Sequence, residues 1–334
     1  MPMRLFFFIF LLMCCQAQAL MPPPDSLGDK RGHVVCANET PLCKNVVGVC
    51  NPQTNCNENY VYDPALYALG LDTLSQIRFW RRIMNLKEDS ALVSLGHSRD
   101  VVQKIAMRDW NAKNDSLKRC YRDSVLLTKN LDSTTRVLVT GGKHFFYDFD
   151  KASLNFQKGI NGFIDNGVDP WYAQAILLIE SPNKLQKSSA GAYGSFQLMK
   201  DVARLYGLKV NAQMDERANL ERSAYAASSL IKTICIPKAC KILDSLHITS
   251  YNQNELWFKL LVMHIYHAGA YNVQCALFTF MPSEGNMKLI YNLWQAQTSR
   301  FKSASQNYSQ LILAAMFEMN DRVALSKRAD LTAN

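Results

Sequence analysis

The chain has 334 residues, 48% of them hydrophobic and 19% charged, with a formal net charge of +9. That composition excludes a disordered or low-complexity protein, because it supplies apolar side chains for a large core, and no solenoid-length repeat is present. The basic balance comes from scattered Lys and Arg. It favours solubility and attraction to an acidic partner without marking a nucleic-acid site.

The chain opens "MPMRLFFFIFLLMCCQAQALM". Arg4 gives a short positive end, Leu5 to Cys15 is apolar but too short to span a bilayer, and Ala17-Gln18-Ala19 supplies small residues for cleavage. Residues 1–19 are therefore expected to be a signal peptide that sends the protein to the periplasm or cell envelope. A lipid anchor on Cys14 or Cys15 is the weaker alternative, since bulky Met13 stands where a small residue is expected. No later segment has the length and hydropathy of a transmembrane helix, so the mature chain is expected to be soluble. Export also argues against a nucleic-acid ligand.

Residues 20–60 read as a Cys-rich leader. Two of the ten cysteines fall in the signal; the others are Cys36, Cys43, Cys50, Cys56, Cys120, Cys235, Cys240 and Cys275. An even number in an exported chain implies disulfides. Cys36 to Cys56 form a cluster, Cys235 and Cys240 flank "IPKA" as a pair closing a small loop, and Cys120 with Cys275 is the pairing left, one among many connectivities. Zinc is the competing reading of the cluster, which has no CxxC.

Residues 61–150 read as an accessory region, mostly helical. "DPALYALGLDTLSQIRFWRRIMNL" has Asp63 as N-cap and Pro64 in the first turn, and "SRDVVQKIAMRDWNAKNDSLKRCYRDSVLL" continues in that style. "TRVLVTGGKHFFYDFD" then predicts a β-hairpin turning at Gly141-Gly142. His97 and His144 stand alone and are read as structural.

Residues 151–325 are helical again, with 326–334 as a tail. Gly167 ends one helix, Asp169 caps the next, and Pro170 suits its first position. That next helix, Trp171 to Glu180, is apolar on all sides and ends in a lone acid followed by Ser181-Pro182. Burial, and the negative end of the helix dipole, both disfavour the charged carboxylate. A carboxylic acid held protonated near neutral pH is what a general acid for glycosidic cleavage requires. The competing reading is a Glu at a fraying helix end that points to solvent. "SSAGAYGSFQLM" (188–199) follows, with Gly191 and Gly194 for tight turns and Gln197 as a polar group. A long amphipathic helix (215–234) and an apolar helix (255–273) come next.

Taken in order, these segments resemble the lytic transglycosylases of the Slt type, related in fold to goose-type lysozyme. "ES" at Glu180-Ser181 matches the catalytic pair, and "GAYGSFQLM", "ARLYGL", "NLERSAYAASSL", "IYHAGAYNV" and "NYSQLILAAMFE" match the family's later motifs. The resemblance covers about residues 155 to 322. It implies a mainly α fold, a lysozyme-like α-helical catalytic domain preceded by the mostly helical accessory region with its β-hairpin.

The resemblance further implies cleavage of the MurNAc–GlcNAc β-1,4 bond of peptidoglycan glycan strands. Glu180 would be the single acid/base, and the C6 hydroxyl of the same muramic acid would close a 1,6-anhydro ring. Ser181 and Gln197 would bind the sugar or hold Glu180, Tyr266 would place its hydroxyl near the Glu180 carboxyl, and Tyr308 would line the cleft. No cofactor is implied. The family asparagine after Tyr266 is His267 here, and Ser195-Phe196, Ala304 and Gln306 also depart from the pattern, which touches substrate contacts more than chemistry. His264 and His267 sit one turn apart, but no further ligands cluster with them, so packing is the expected role and no metal site is expected. Two other readings stay open: a hydrolytic muramidase on the same fold, and a non-catalytic envelope protein that binds glycan or acts as a scaffold, with assembly partners held through residues 20–150.

Overall fold

A computed structural model describes residues 42, 44–51, 56–96, 98–149, 155–180 and 187–333. The signal segment, Cys36, Cys43, His97, Ser181 and Pro182 lie outside these residues, as do the side chains of Cys50 and Cys56. The architecture is mainly α with small antiparallel sheets, consistent with a lysozyme-like domain.

The first element is a hairpin, β1 (Val46–Asn51) with β2 (Cys56–Val61), in which Val46 faces Val61 and Asn51 faces Cys56. Val49, Tyr60 and Val61 are buried. Short helix α1 (Ala65–Ala68) and amphipathic α2 (Ser75–Asn85) follow. A second sheet holds β3 (Ser90–Leu95) between β4 (Val101–Ala106) and β5 (Val137–Gly141), all antiparallel. Between β4 and β5 run α3 (Met107–Asn111) and α4 (Asp115–Thr128), the latter capped by Asn114, whose side chain accepts from Leu117 N at 2.9 Å. Val93, Val125 and Val137 make a small separate core under this sheet.

This part of the chain corrects two expectations. The segment read as helical around Val101 is a strand. The hairpin expected at 137–149 does not form: Val137–Gly141 pairs with β3, and residues 144–146 turn instead of returning as a strand. The physical reason is Gly142. It is there for close approach, since a Cβ would lie 2.2 Å from Lys87 O and 2.3 Å from Leu86 O. It thus lets the chain cross the end of α2, where Lys143 N bonds Ile83 O and His144 N bonds Leu86 O. Tyr147 and Phe149 then enter the core.

The helical part begins with α5 (Phe156–Asp165) and α6 (Pro170–Ile179). Gly159 and Gly162 let α5 pack closely: a Cβ on Gly159 would lie 2.6 Å from Leu177, and one on Gly162 would lie 2.9 Å from Ala224. Gly167 ends α5 with φ +66°, as its sequence position indicates. Next come α7 (Lys200–Leu205) and α8 (Leu220–Leu230), the latter capped by Asn219; a π-helical turn (Ile231–Cys235) joins α8 directly to α9 (Ile236–Ser245). Helices α10 (Leu256–Ala268) and α11 (Ala270–Phe278) are separated by Gly269 at φ +80°; α12 (Met287–Leu293) and the long α13 (Ser303–Ala333) close the fold. Helix α13 runs through residues 326–333, which the sequence marks as a tail.

One buried cluster reaches from Val49 to Val323. Polar clamps fix the accessory elements to it. Buried Gln174 on α6 pairs both ways with the Val61 backbone at 2.8 Å, Trp80 Nε1 donates to Gln310 Oε1 at 3.0 Å, and Arg81 bridges Glu318 at 2.6 Å. Among the described residues, Cys120, Cys235, Cys240 and Cys275 are free thiols, so the expected 235–240 and 120–275 bridges are absent. The first pair sits on one continuous helical run. Five residues there rise about 7.5 Å, beyond the Cα separation a disulfide spans. No described helix is long and apolar enough to cross a membrane.

Candidate active site

Helix α6 is built to deliver Glu180. The Asp169 side chain accepts from Trp171 N at 2.8 Å, Pro170 occupies the first turn, and all ten helical residues are buried. Lys259 neutralises Asp169 through a salt bridge. Glu180 is the C-cap, its N–H still bonded to Ile176 O at 2.9 Å, and its side chain turns inward from the helix end. The residue keeps part of its surface exposed, yet its carboxyl sits among enough protein atoms that desolvation dominates and raises its pKa; a hydrogen bond from Tyr308 opposes this. Among the described residues, no second carboxylate contributes to the shift.

Tyr308, on α13, donates from its hydroxyl to Glu180 Oε1 at 2.8 Å. Its ring is buried and stacks on His267, with centroids 4.2 Å apart and planes 21° apart. His267 itself is exposed, so a chain of contacts leads from the acid to the surface. Below it, buried His264 bonds Ser309 Oγ at 2.9 Å, which also accepts from Trp294 Nε1 at 2.8 Å. Burial pushes the His264 pKa down to about 3, so the ring is neutral inside the core. Tyr266 donates to Phe196 O at 2.6 Å, and Glu180 lies close enough to raise its pKa further after burial. Tyr147 is shifted upward in the same way, by burial first and Glu180 second. The acid is therefore surrounded by tyrosines that stay protonated.

The turn at 188–199 is the second half of the site. Tyr193 and Leu198 form a β-bridge around Gly194-Ser195-Phe196-Gln197. Gly194 has φ +85°, and a Cβ there would lie 1.9 Å from Arg217 O, so no other residue fits. Gln197 sits at φ 46°, with its Nε2 donating to Gly194 O at 3.0 Å. Phe196 is fully buried, its ring stacked on Phe163 at 5.6 Å, which makes the turn a rigid shelf tied to Tyr266.

Arg217 fastens the shelf. It is buried, pairs with Asp215 at 2.7 Å, and donates from Nη1 to both Gly191 O and Leu198 O at 2.9 Å. Sequence reasoning missed it, because "DERAN" reads as the start of an amphipathic helix; the acid two positions before the arginine was the available signal. Tyr147 was missed too, lying in a segment read as a hairpin. The structure thus brings Glu180, Tyr308, Tyr266 and the Gln197 turn into one neighbourhood, while Ser181 lies outside the described residues.

No curated protein and no solved structure matches the chain. Residues 164–274 match the family model of the transglycosylase SLT domain, a stretch that holds α6, Glu180, the 188–199 turn, Arg217 and Tyr266 but stops before Tyr308. Proteins of this family are lytic transglycosylases, carbon–oxygen lyases that act on peptidoglycan in the envelope. Residues 164–274 are therefore a transglycosylase SLT domain.

Proposed function

We propose that the protein cleaves the β-1,4 bond between N-acetylmuramic acid and N-acetylglucosamine, with Glu180 as its single acid/base. The observation that carries this reading is the hydrogen bond from Tyr308 to Glu180 at 2.8 Å, on a carboxyl whose pKa burial has raised. A protonated Glu180 donates its proton to the glycosidic oxygen as the C1–O bond breaks. The resulting carboxylate then takes the proton of the muramic acid C6 hydroxyl, whose oxygen bonds to C1 and closes the anhydro ring. The proton balance is zero, no water is consumed, and Glu180 ends protonated for the next cycle.

Tyr308 orients the carboxyl and stabilises it while it is anionic. Tyr266 holds the Gln197 turn, against which the sugar rests, and Ser181 extends the binding edge. The lysozyme-like unit comprises residues 151–325. Residues 1–19 export it, and 20–150 form an accessory region that meets envelope partners.

The test is a digest of purified peptidoglycan by wild type and by Glu180→Gln. The variant keeps the acceptor for Tyr308 and loses the proton, so turnover falls by about 10²–10⁴-fold with an unchanged fold. A variant that still turns over at the wild-type rate overturns the assignment.

A further inference from the structure

On the face of α13 away from Tyr308 lies a cavity of about 20 Å³ that opens to solvent, lined by Arg99, Arg136, Leu138, Ser303 and Asn307 among others. Arg99 is only 7% exposed. Its Nη2 donates to Asn307 Oδ1 at 3.0 Å, and its guanidinium lies 5.0 Å over Phe79 and 5.2 Å over Trp80. Among the described residues no carboxylate is within salt-bridge distance of it, and its nearest charged neighbour in effect is a second cation, Arg136. Burial and that repulsion lower its pKa to about 10.

Buried guanidinium groups are normally paired, because an isolated buried charge is costly. Here Arg99 lines a cavity that opens to solvent instead. One further feature favours an anion. Ser303 starts the 31-residue helix α13, whose first N–H groups carry partial positive charge.

We propose that Arg99 and Arg136 form a binding site for a free carboxylate, distinct from the Glu180 site. The cavity admits one or two oxygen atoms, and a guanidinium fork matches the planar carboxylate. A tetrahedral phosphate is too bulky for a cavity of about 20 Å³. The peptide stems of peptidoglycan carry free carboxylates, so the substrate polymer itself presents this chemistry. The site does not depend on the role of Glu180, and its test reads binding rather than turnover.

The full chain is titrated with sodium acetate, with ionic strength held constant by sodium chloride, while the thermal midpoint is followed. The midpoint is expected to rise saturably with acetate. In Arg136→Gln, an exposed position that should not disturb folding, the apparent affinity should fall about tenfold. Asn307→Asp places a carboxylate beside Arg99; it should raise the midpoint without acetate and remove the acetate response. Equal effects of acetate and chloride, an unchanged response in both variants, or a stronger response to inorganic phosphate would each overturn the proposal. Binding of a peptide with free carboxylates, lost on amidation, would support it.

Discussion

Replacing Tyr308 by Phe removes one oxygen atom and leaves the ring that stacks on His267 at 4.2 Å. The lost contact is the 2.8 Å donation to Glu180 Oε1. Hydrogen bonds to a charged partner contribute about 1.5–3 kcal/mol, so if Tyr308 acts mainly on the anionic form of Glu180, the rate should fall roughly 10–150-fold. The sign of the pH effect follows from the same bond. Tyr308 lowers the Glu180 pKa against the upward push of burial, so its loss raises that pKa further. The alkaline limb of the pH–rate profile, which reports loss of the acid's proton, should therefore move to higher pH. Initial rates on purified peptidoglycan across pH, with the thermal midpoint measured alongside, check both effects. A variant with wild-type rate and an unmoved alkaline limb would refute the role given to Tyr308.

Three other perturbations probe the supports of the site. His267→Ala removes the stacked ring and should lower kcat more than it raises KM, whereas His267→Phe should restore most of the rate; equal activity of both variants would separate His267 from the acid. Arg217→Ala leaves two backbone carbonyls without their donor, while Asp215 keeps its contact with solvent, so the loss should cost about 1–3 kcal/mol, readable by chemical denaturation. His264 should make the fold acid-sensitive: it stays neutral in the fold down to about pH 3, while the unfolded chain takes up a proton near its ordinary value of 6.5. It costs nothing above that value. Below it, stability falls by about 1.4 kcal/mol per pH unit until the folded pKa is reached, and His264→Asn should flatten that slope in pH-dependent unfolding.

Local chemistry made some of this legible from the sequence. Gly167, Asp169 and Pro170 announce the start of α6, and its uninterrupted apolar run announces its burial, so the position of Glu180 follows from a few neighbouring residues. The 188–199 turn was legible for the same reason, because a glycine at φ +85° is a local requirement. What stayed hidden depends on distant partners. Gly141-Gly142 looks like a turn until the backbone of Leu86 and Lys87 is seen pressing on Gly142. The strand 101–106 is short, and its Val101, Val102 and Ile105 spacing suits a helix as well as a strand. Tyr308 meets Glu180 across 128 positions, and only the resemblance of its motif connected it with the site. Arg217 and Tyr147 carried no such motif. Cysteine parity pointed to bridges, but the continuous helix through Cys235 and Cys240 holds that pair apart.

The most direct measurement is mass spectrometry of the muropeptides released from purified peptidoglycan by wild type and by Glu180→Gln. The account expects wild-type products lighter by one water than their hydrolytic counterparts, and none of them above background with the variant. Reducing-end products from the wild type would contradict the intramolecular step and make the protein a muramidase. Wild type that binds the polymer and releases nothing would leave a glycan-binding scaffold in place of the enzyme.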